Sequence, residues 1–259
     1  LFRSLTMYLF GSGLLWGTPL TDASGAAIAN PTPLIFGTLQ DTEMDFKFEL
    51  KQLHGQNQFA VAVGRGKGSV SCKAKLADIR AGFLETIVFG LAGTSGLTSM
   101  VYDTVGTAIP ATPYQVTVTP PNSGTFSADL GVIDSSTGRA MTRVASAPAT
   151  GQYTVTGGGV YTFAAADTTK VMYINYRYTA TSTTARRISI TNQPMGYAPT
   201  FRSDFYGPYQ GKSAVLTLNA CISEGFKMTP KNDDFTVPEM GFQAFADQAG
   251  IIGTLAITE

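Results

Sequence analysis

Residues Asp41 to Lys51 read Asp-Thr-Glu-Met-Asp-Phe-Lys-Phe-Glu-Leu-Lys, with a charge at every odd position and none at the even ones. Successive side chains of a β-strand point to opposite faces. The stretch is therefore a strand with one apolar face (Thr42, Met44, Phe46, Phe48, Leu50) and one wholly ionic face (Asp41, Glu43, Asp45, Lys47, Glu49, Lys51). A helix would scatter the same charges around its circumference and split the apolar set. In a chain that is only 14% charged, such a ribbon should face water, a pore or a charged partner.

The 259 residues suffice for one large domain or two modest ones, and a hydrophobic content of 44% supplies a sizeable core. Lys plus Arg equals Asp plus Glu at 18 each, so no global basic excess exists to grip nucleic acid. Low charge with 28 Gly and 13 Pro points to a turn-rich, mainly β protein. No apolar run reaches the roughly 18 residues of a membrane helix. Leu1–Trp16 is interrupted by Gly11, Ser12 and Gly13 and reads as a first strand or arm rather than a signal peptide. Cys72 and Cys221 lie far apart in alternating patterns, as buried free thiols or a single disulfide. The thiol reading fits assembly in a reducing cytosol.

The ribbon leads through Leu53-His54-Gly55 to Phe59, Val61 and Val63, which share one face. Gly64-Arg65-Gly66-Lys67-Gly68 then reads as a hairpin turn whose basic tip, Arg65 and Lys67, offers a contact to a neighbouring subunit. Ser69–Lys75 is the return strand. Over residues 74–91, Leu76, Ile79, Phe83, Ile87 and Leu91 recur at helical spacing and predict the one helix of the chain, stopped by Gly90 and Gly93. Leu91–Asp103 reads as a long loop.

From about Asp103 to Thr184 charges thin out. Short alternating stretches at 114–119, 124–133, 151–156, 160–164 and 171–178 are separated by turn signals, as in a small β-sandwich of Ig-like or similar type. Charge density recovers afterwards, with strands expected at 187–191, 213–221, 235–247 and 251–258. The expected organisation is a discontinuous core, 1–103 and 184–259, carrying an inserted domain over 104–183.

Little in the sequence supports catalysis. His54 is the sole histidine, and Gly93-Thr-Ser-Gly96 lacks the spacing of a nucleophile elbow. No His/Cys cluster suggests a metal, and Asn232-Asp233-Asp234 lacks the alternating ligands of a calcium loop. Gly64–Ser69 is followed by a strand, where a phosphate-binding loop would open a helix. The ribbon carboxylates lie on a regularly charged face, with no apolar pocket indicated to raise a pKa. The expectation is a structural or binding protein without catalytic residues, cofactor or metal.

The charged strand ending Glu49-Leu50-Lys51-Gln52-Leu53-His54-Gly55, the segment Gln58 to Gly68 and the helix to Phe89-Gly90 resemble the tail tube (major tail) proteins of tailed bacteriophages. Phe126–Gly131, Gly151–Val155 and Val160–Asp167 resemble a unit seen in such proteins, and Gly211-Lys212 and Pro238-Glu239 match more loosely. The resemblance implies a tail-tube-type β-sandwich or barrel with one flanking α-helix, assembling as hexameric rings stacked into a tube that conducts the genome. It implies tape-measure and tail terminator or tip proteins as partners, no membrane, assembly in the host bacterial cytoplasm and a place in the virion tail.

That architecture would let Asp41, Glu43, Asp45 and Glu49 line the lumen. The odd positions 41 to 49 sum to −3 per subunit, a sign that repels phosphates; a neighbouring subunit or the exterior are the other surfaces open to the ribbon. The inserted domain would project outward, as on a non-contractile tail. An alternative from another class is a carbohydrate-binding adhesin or other decoration protein. There Tyr197, Phe201, Phe205, Tyr206 and Tyr209 around Gly207-Pro208 would form a sugar-stacking surface, or else a loop packed on a neighbour.

Overall fold

The alternating ribbon lies inside a strand of 16 residues, Leu39–His54, paired antiparallel with an even longer partner, Ala60–Leu76. The computed structural model describes residues 8–258 of a mainly β protein. The strands run β1 (Leu14–Pro19), β2 (Leu34–Ile35), β3 (Leu39–His54), β4 (Ala60–Leu76), β5 (Thr94–Ser95), β6 (Leu97–Val101), β7 (Thr107–Ala108), β8 (Gln115–Thr117) and β9 (Thr125–Asp134). They continue as β10 (Thr142–Arg143), β11 (Gln152–Val155), β12 (Val160–Phe163), β13 (Val171–Ala180), β14 (Arg186–Arg187), β15 (Thr200–Tyr209), β16 (Lys212–Lys227), β17 (Glu239–Phe245) and β18 (Gly253–Ile257). The chain divides into two compact units, Leu1–Gly93 with Ile188–Glu259, and Thr94–Arg187. Part of the expected N-terminal arm, residues 1–7, lies outside the described residues.

The first unit is one sheet in the order β2-β1-β15-β16-β17-β4-β3, with β18 also on β16. Its core gathers Leu15, Phe36, Leu76, Phe83, Phe201, Met240 and Phe242. Phe36 is wholly buried, and its ring centroid lies 4.6 Å from Phe83 and 6.0 Å from both Phe201 and Phe242. Truncating a ring so enclosed costs about 3–5 kcal/mol.

Two expectations need correction here. The helix expected over 74–91 is shorter: one α-turn, Ala81–Phe83, continues into a π-turn, Leu84–Val88. Sheet pairing takes its first residues, because Ala74 faces Met240, and Leu76 donates to the Pro238 carbonyl at 2.8 Å. The Thr86 hydroxyl donates back to the Gly82 carbonyl at 2.8 Å, and Phe89 N–H reaches five residues back to Leu84. Only Phe83 and Ile87 of the periodic set enter the core through this helix; Ile79 is exposed. The aromatic cluster at 201–209 is not a loop either. It is β15, held between β1 and β16, with Phe201 in the core. Pro208 fits because β1 pairing ends at Tyr206, leaving no partner for an N–H on that side.

The second unit packs a four-stranded sheet, β10-β11-β12-β8, and a second sheet in which β13 pairs β6, β7 and β9 around one shared core of Val132, Tyr153, Tyr161, Phe163, Met172 and Ile174. Asp129 sits at a bulge of β9 with its side chain almost fully buried. It accepts hydrogen bonds from the hydroxyls of Tyr153 (2.7 Å) and Tyr161 (3.0 Å) and from Gly131 N–H (3.0 Å). Burial first, and then the Asp129 charge, push both phenols upward, so they remain donors. A buried carboxylate satisfied three times fixes the bulge rather than straining it.

The unit begins at Thr94 rather than near Asp103. The stretch expected as a loop contains β5 and β6, and β6 pairs β13 from Leu97 to Val101. Asp103 itself accepts from Val105, Gly106 and Ile174 N–H groups, pinning that turn onto β13. At the other end β14 holds only Arg186–Arg187, paired to β5, where a strand over 187–191 was expected.

Because Thr94 and Arg187 face each other across an antiparallel pair, their Cα atoms stand about 5 Å apart. Excising Thr94–Arg187 and joining Gly93 to Ile188 through two glycines should therefore leave a chain that melts in one cooperative transition by circular dichroism. The excised segment alone should do the same. A broad, non-cooperative melt of either piece contradicts the division.

Candidate functional site

Strand β17 backs β4 only from Val70 to Lys75, and the burial of β4 follows that limit. Val70, Cys72, Ala74 and Leu76 are buried, whereas every residue from Val61 to Ser69 is exposed. On β3 the exposed stretch begins at Phe46. The outer part of the hairpin therefore projects past the core. Its apolar face continues outward through Phe46, Phe48 and Leu50 of β3 and Val63, Val61 and Phe59 on the return side, and the last two are 72% and 85% exposed.

The hairpin reverses at residues 55–59, not at Gly64–Gly68 as the sequence suggested. Those glycines lie within β4, and none has a positive φ. They serve close cross-strand approach instead. A Cβ on Gly68 would lie 3.2 Å from the Phe48 ring, and one on Gly66 would lie 3.1 Å from Lys51 carbons. A bulge here sets Phe48 opposite Gly68 and Leu50 opposite Arg65. Arg65 and Lys67 are consequently not a shared tip. Arg65 joins the apolar face, its guanidinium 4.4 Å from the Phe48 ring centroid. Lys67 lines a depression of the ionic face with Lys47 and Glu49.

The ionic face is charge-balanced, which corrects the sum of −3 read from β3 alone. Register puts Lys75 opposite Asp41, Lys73 opposite Glu43 and Glu239 beside Lys75. Asp41, Glu43, Asp45, Glu49 and Glu239 thus meet Lys47, Lys51, Lys67, Lys73 and Lys75, and β16 adds Lys227 opposite Glu239 and Glu224 beside Gly241, six of each sign. Lys75 Nζ donates to Asp41 at 2.9 Å, Lys51 lies 3.2 Å from Glu49, and Lys47 pairs with Asp45. The hydrogen bond from Lys75 holds the Asp41 carboxyl below its usual range, and Asp41 in turn raises Lys75. Such solvent-screened pairs add little stability.

Where the sheet forks, the apolar face becomes one wall of a groove of about 600 Å³. Strand β16 pairs β17 through its second half and β18 through its first half. β18 therefore continues the row of β17 but stays apart from the outer part of β4. Phe46, Phe48, Leu216, Leu218, Ile252 and Leu255 line the gap, with Arg65 the sole charged side chain among its lining residues. Among the described residues, β4 over Ala60–Ser69 pairs only β3, and β18 pairs only β16. Two unpaired strand edges thus flank an apolar slot.

A loop clasp positions β18. Asp247 accepts from Ala249 N–H and Ile251 N–H at 2.9 Å each, and from the Asn219 amide at 2.8 Å. The Ile251 bond first, then Asn219, lowers its pKa below the ordinary 3.8.

The remaining candidates do not converge. His54 ends β3 beside Gln52, with ring and amide 3.2 Å apart. Asn232-Asp233-Asp234 is an exposed bend, and no group of three His, Cys, Asp or Glu among the described residues could hold a metal ion. Cys72 and Cys221 are free, buried thiols, each pushed up to about 12 by burial. Of the proposed sugar-stacking aromatics, Phe201 belongs to the core. No described helix is long and apolar enough to cross a membrane. The sequence reading missed the groove because its walls come from strands some 200 residues apart. No protein-family model and no curated protein sequence matches this chain.

A depressed carboxylate stabilises above the ordinary aspartate value and loses that effect as pH falls through its folded value. Replacing Asp247 with Ala should accelerate hydrogen exchange across Gly253–Ile257 at neutral pH. The unmodified chain should show the same acceleration only below pH 3.8. Unchanged exchange in the variant would remove the clasp from the account of β18.

Proposed function

We propose that this chain is a structural virion protein of the tail-tube type, whose copies close into hexameric rings and stack into a tube that conducts DNA. The observation that carries the reading is the projecting hairpin. A strand pair that extends past its own core, apolar on one face and ionic on the other, with unpaired edges at β3, β4 and β18, is a liability in a lone domain. Other copies remove that liability. Contacts between unlike patches of one chain repeat head to tail and generate rings or filaments.

In this reading the partners are further copies and the tape-measure and terminator proteins of a tail, and the chemistry required of the chain is binding alone. The ionic face lines the channel with both signs interleaved. A balanced wall gives passing phosphates neither a fixed attraction nor a strong repulsion. Substituting Lys at all four acids would set Lys against Lys75 and Lys73 across the ladder, where like charges are destabilising. The neutral pair Asp→Asn and Glu→Gln is the cleaner probe of that wall.

The reading is tested through the arm. Replacing Phe48–Gly68 with an Asn-Gly turn keeps the pairs from Leu39 to Lys47 and all the buried residues of β4. The full chain should form hollow tubes by negative-stain microscopy at high concentration. The shortened chain should melt cooperatively and stay monomeric by light scattering. A full chain that remains monomeric, or a shortened chain that still forms tubes, would overturn it.

A further inference from the structure

The groove between β4 and β18 is flanked by two free strand edges. We propose that it receives the outer hairpin segment of a second copy, Ala60–Val63 of β4 with Phe59 before it, laid by its one free edge along the unpaired edge of β4 with its apolar side chains in the slot. This rests on the assembly reading and names the contact that performs it.

The groove cannot be filled by its own arm. Phe46, Phe48, Val70 and, outermost, Arg65 form its wall, and the turn at 55–59 begins about six residues beyond Arg65 along the same ladder. At about 3.3 Å per residue that places the tip about 20 Å beyond the groove on a strand that runs away from it, so an arm that enters a groove enters another molecule's.

The two surfaces match in shape of pattern and in charge. Its own β3 occupies one edge of that strand, so it adds through the other edge and buries alternate side chains. Phe59, Val61 and Val63 are alternate residues, all largely exposed. From Gln52 to Gly64 the chain holds no Asp, Glu, Lys or Arg, and the groove offers a single charge, Arg65, already stacked on Phe48. A polyanion or a charged peptide finds no complement there. A neutral apolar strand does. Donor and acceptor are different patches, so each copy can give an arm and accept one, and the contact propagates.

Complementation tests this in the full-length chain. One variant carries Phe59→Asp and Val61→Asp and keeps its groove. The other carries Ile252→Asp and Leu255→Asp and keeps its arm. All four positions are at least 41% exposed, so both variants should melt as the unmodified chain does, which circular dichroism checks. Alone, each should remain monomeric by light scattering. Mixed in equal amounts, they should pair once and stop, at twice the 27.4 kDa chain mass, because only one good arm and one good groove remain. A mixture that stays monomeric while the unmodified chain assembles overturns the groove contact and leaves the assembly reading standing. So does a groove variant that assembles alone, which would mean that arms pack on one another. Flotation of the unmodified chain with neutral phosphatidylcholine vesicles, lost in the arm variant, would assign the arm to lipid and overturn the proposal. An unmodified chain that never assembles overturns both readings.

Discussion

The structure of the first unit depends on a mismatch of strand lengths. β3 and β4 pair along nearly their whole length, while β17 supports β4 only from Val70 to Lys75. Everything inside that limit is ordinary core, with Val70, Cys72, Ala74 and Leu76 buried against Met240 and Phe242. Everything outside is a two-stranded ribbon with nothing behind it. A two-stranded hairpin alone is marginal in water. Here its root is anchored in a large sheet, so the outer ladder persists and its apolar residues stay exposed. The fork at β16 has the same origin: where β17 ends, β18 takes its place on β16, and β4 goes on without a neighbour.

Residues of one face could be read from the sequence wherever a single strand determined them. The Asp41–Lys51 alternation is borne by the structure as a strand, since its period of two has no competitor over eleven residues. The charge of the face could not be read in that way, because it is a property of two strands. Lys73 and Lys75 oppose Glu43 and Asp41 only through a register that a bulge at Phe48–Leu50 resets. Gly64–Gly68 misled for a related reason: a glycine needed for a turn and one needed for close approach of a neighbouring ring look identical in a sequence. The Phe48 ring against Gly68 decides between them. The helix expected over 74–91 was too long at both ends, since the sheet claims 74 to 76 and the helical turns run only from Ala81 to Val88, and β15 was hidden by the turn-like Gly207-Pro208. Nothing local announces the groove, which exists only when β4, β16 and β18 meet.

Function follows from what the two faces leave undone. On the ionic face Asp41, Asp45 and Glu49 are each paired within the hairpin. The apolar face has no such internal solution, and the slot beside it has two free backbone edges. The proposed tube uses both: the apolar face and slot join copies, and the balanced face is left for the channel. The second unit is held together by its own buried carboxylates, Asp129 and Asp167, and by its own aromatic core.

The central claim is that the free edge of β4 is completed by another molecule. Hydrogen exchange resolved to single amides tests it most directly, at those residues of Ala60–Ser69 whose N–H groups point away from β3. In dilute solution these amides should exchange as fast as an unstructured chain, and in the concentrated, assembled protein they should become protected. Protection already present in the dilute monomer, or exchange that stays fast after assembly, would contradict the account.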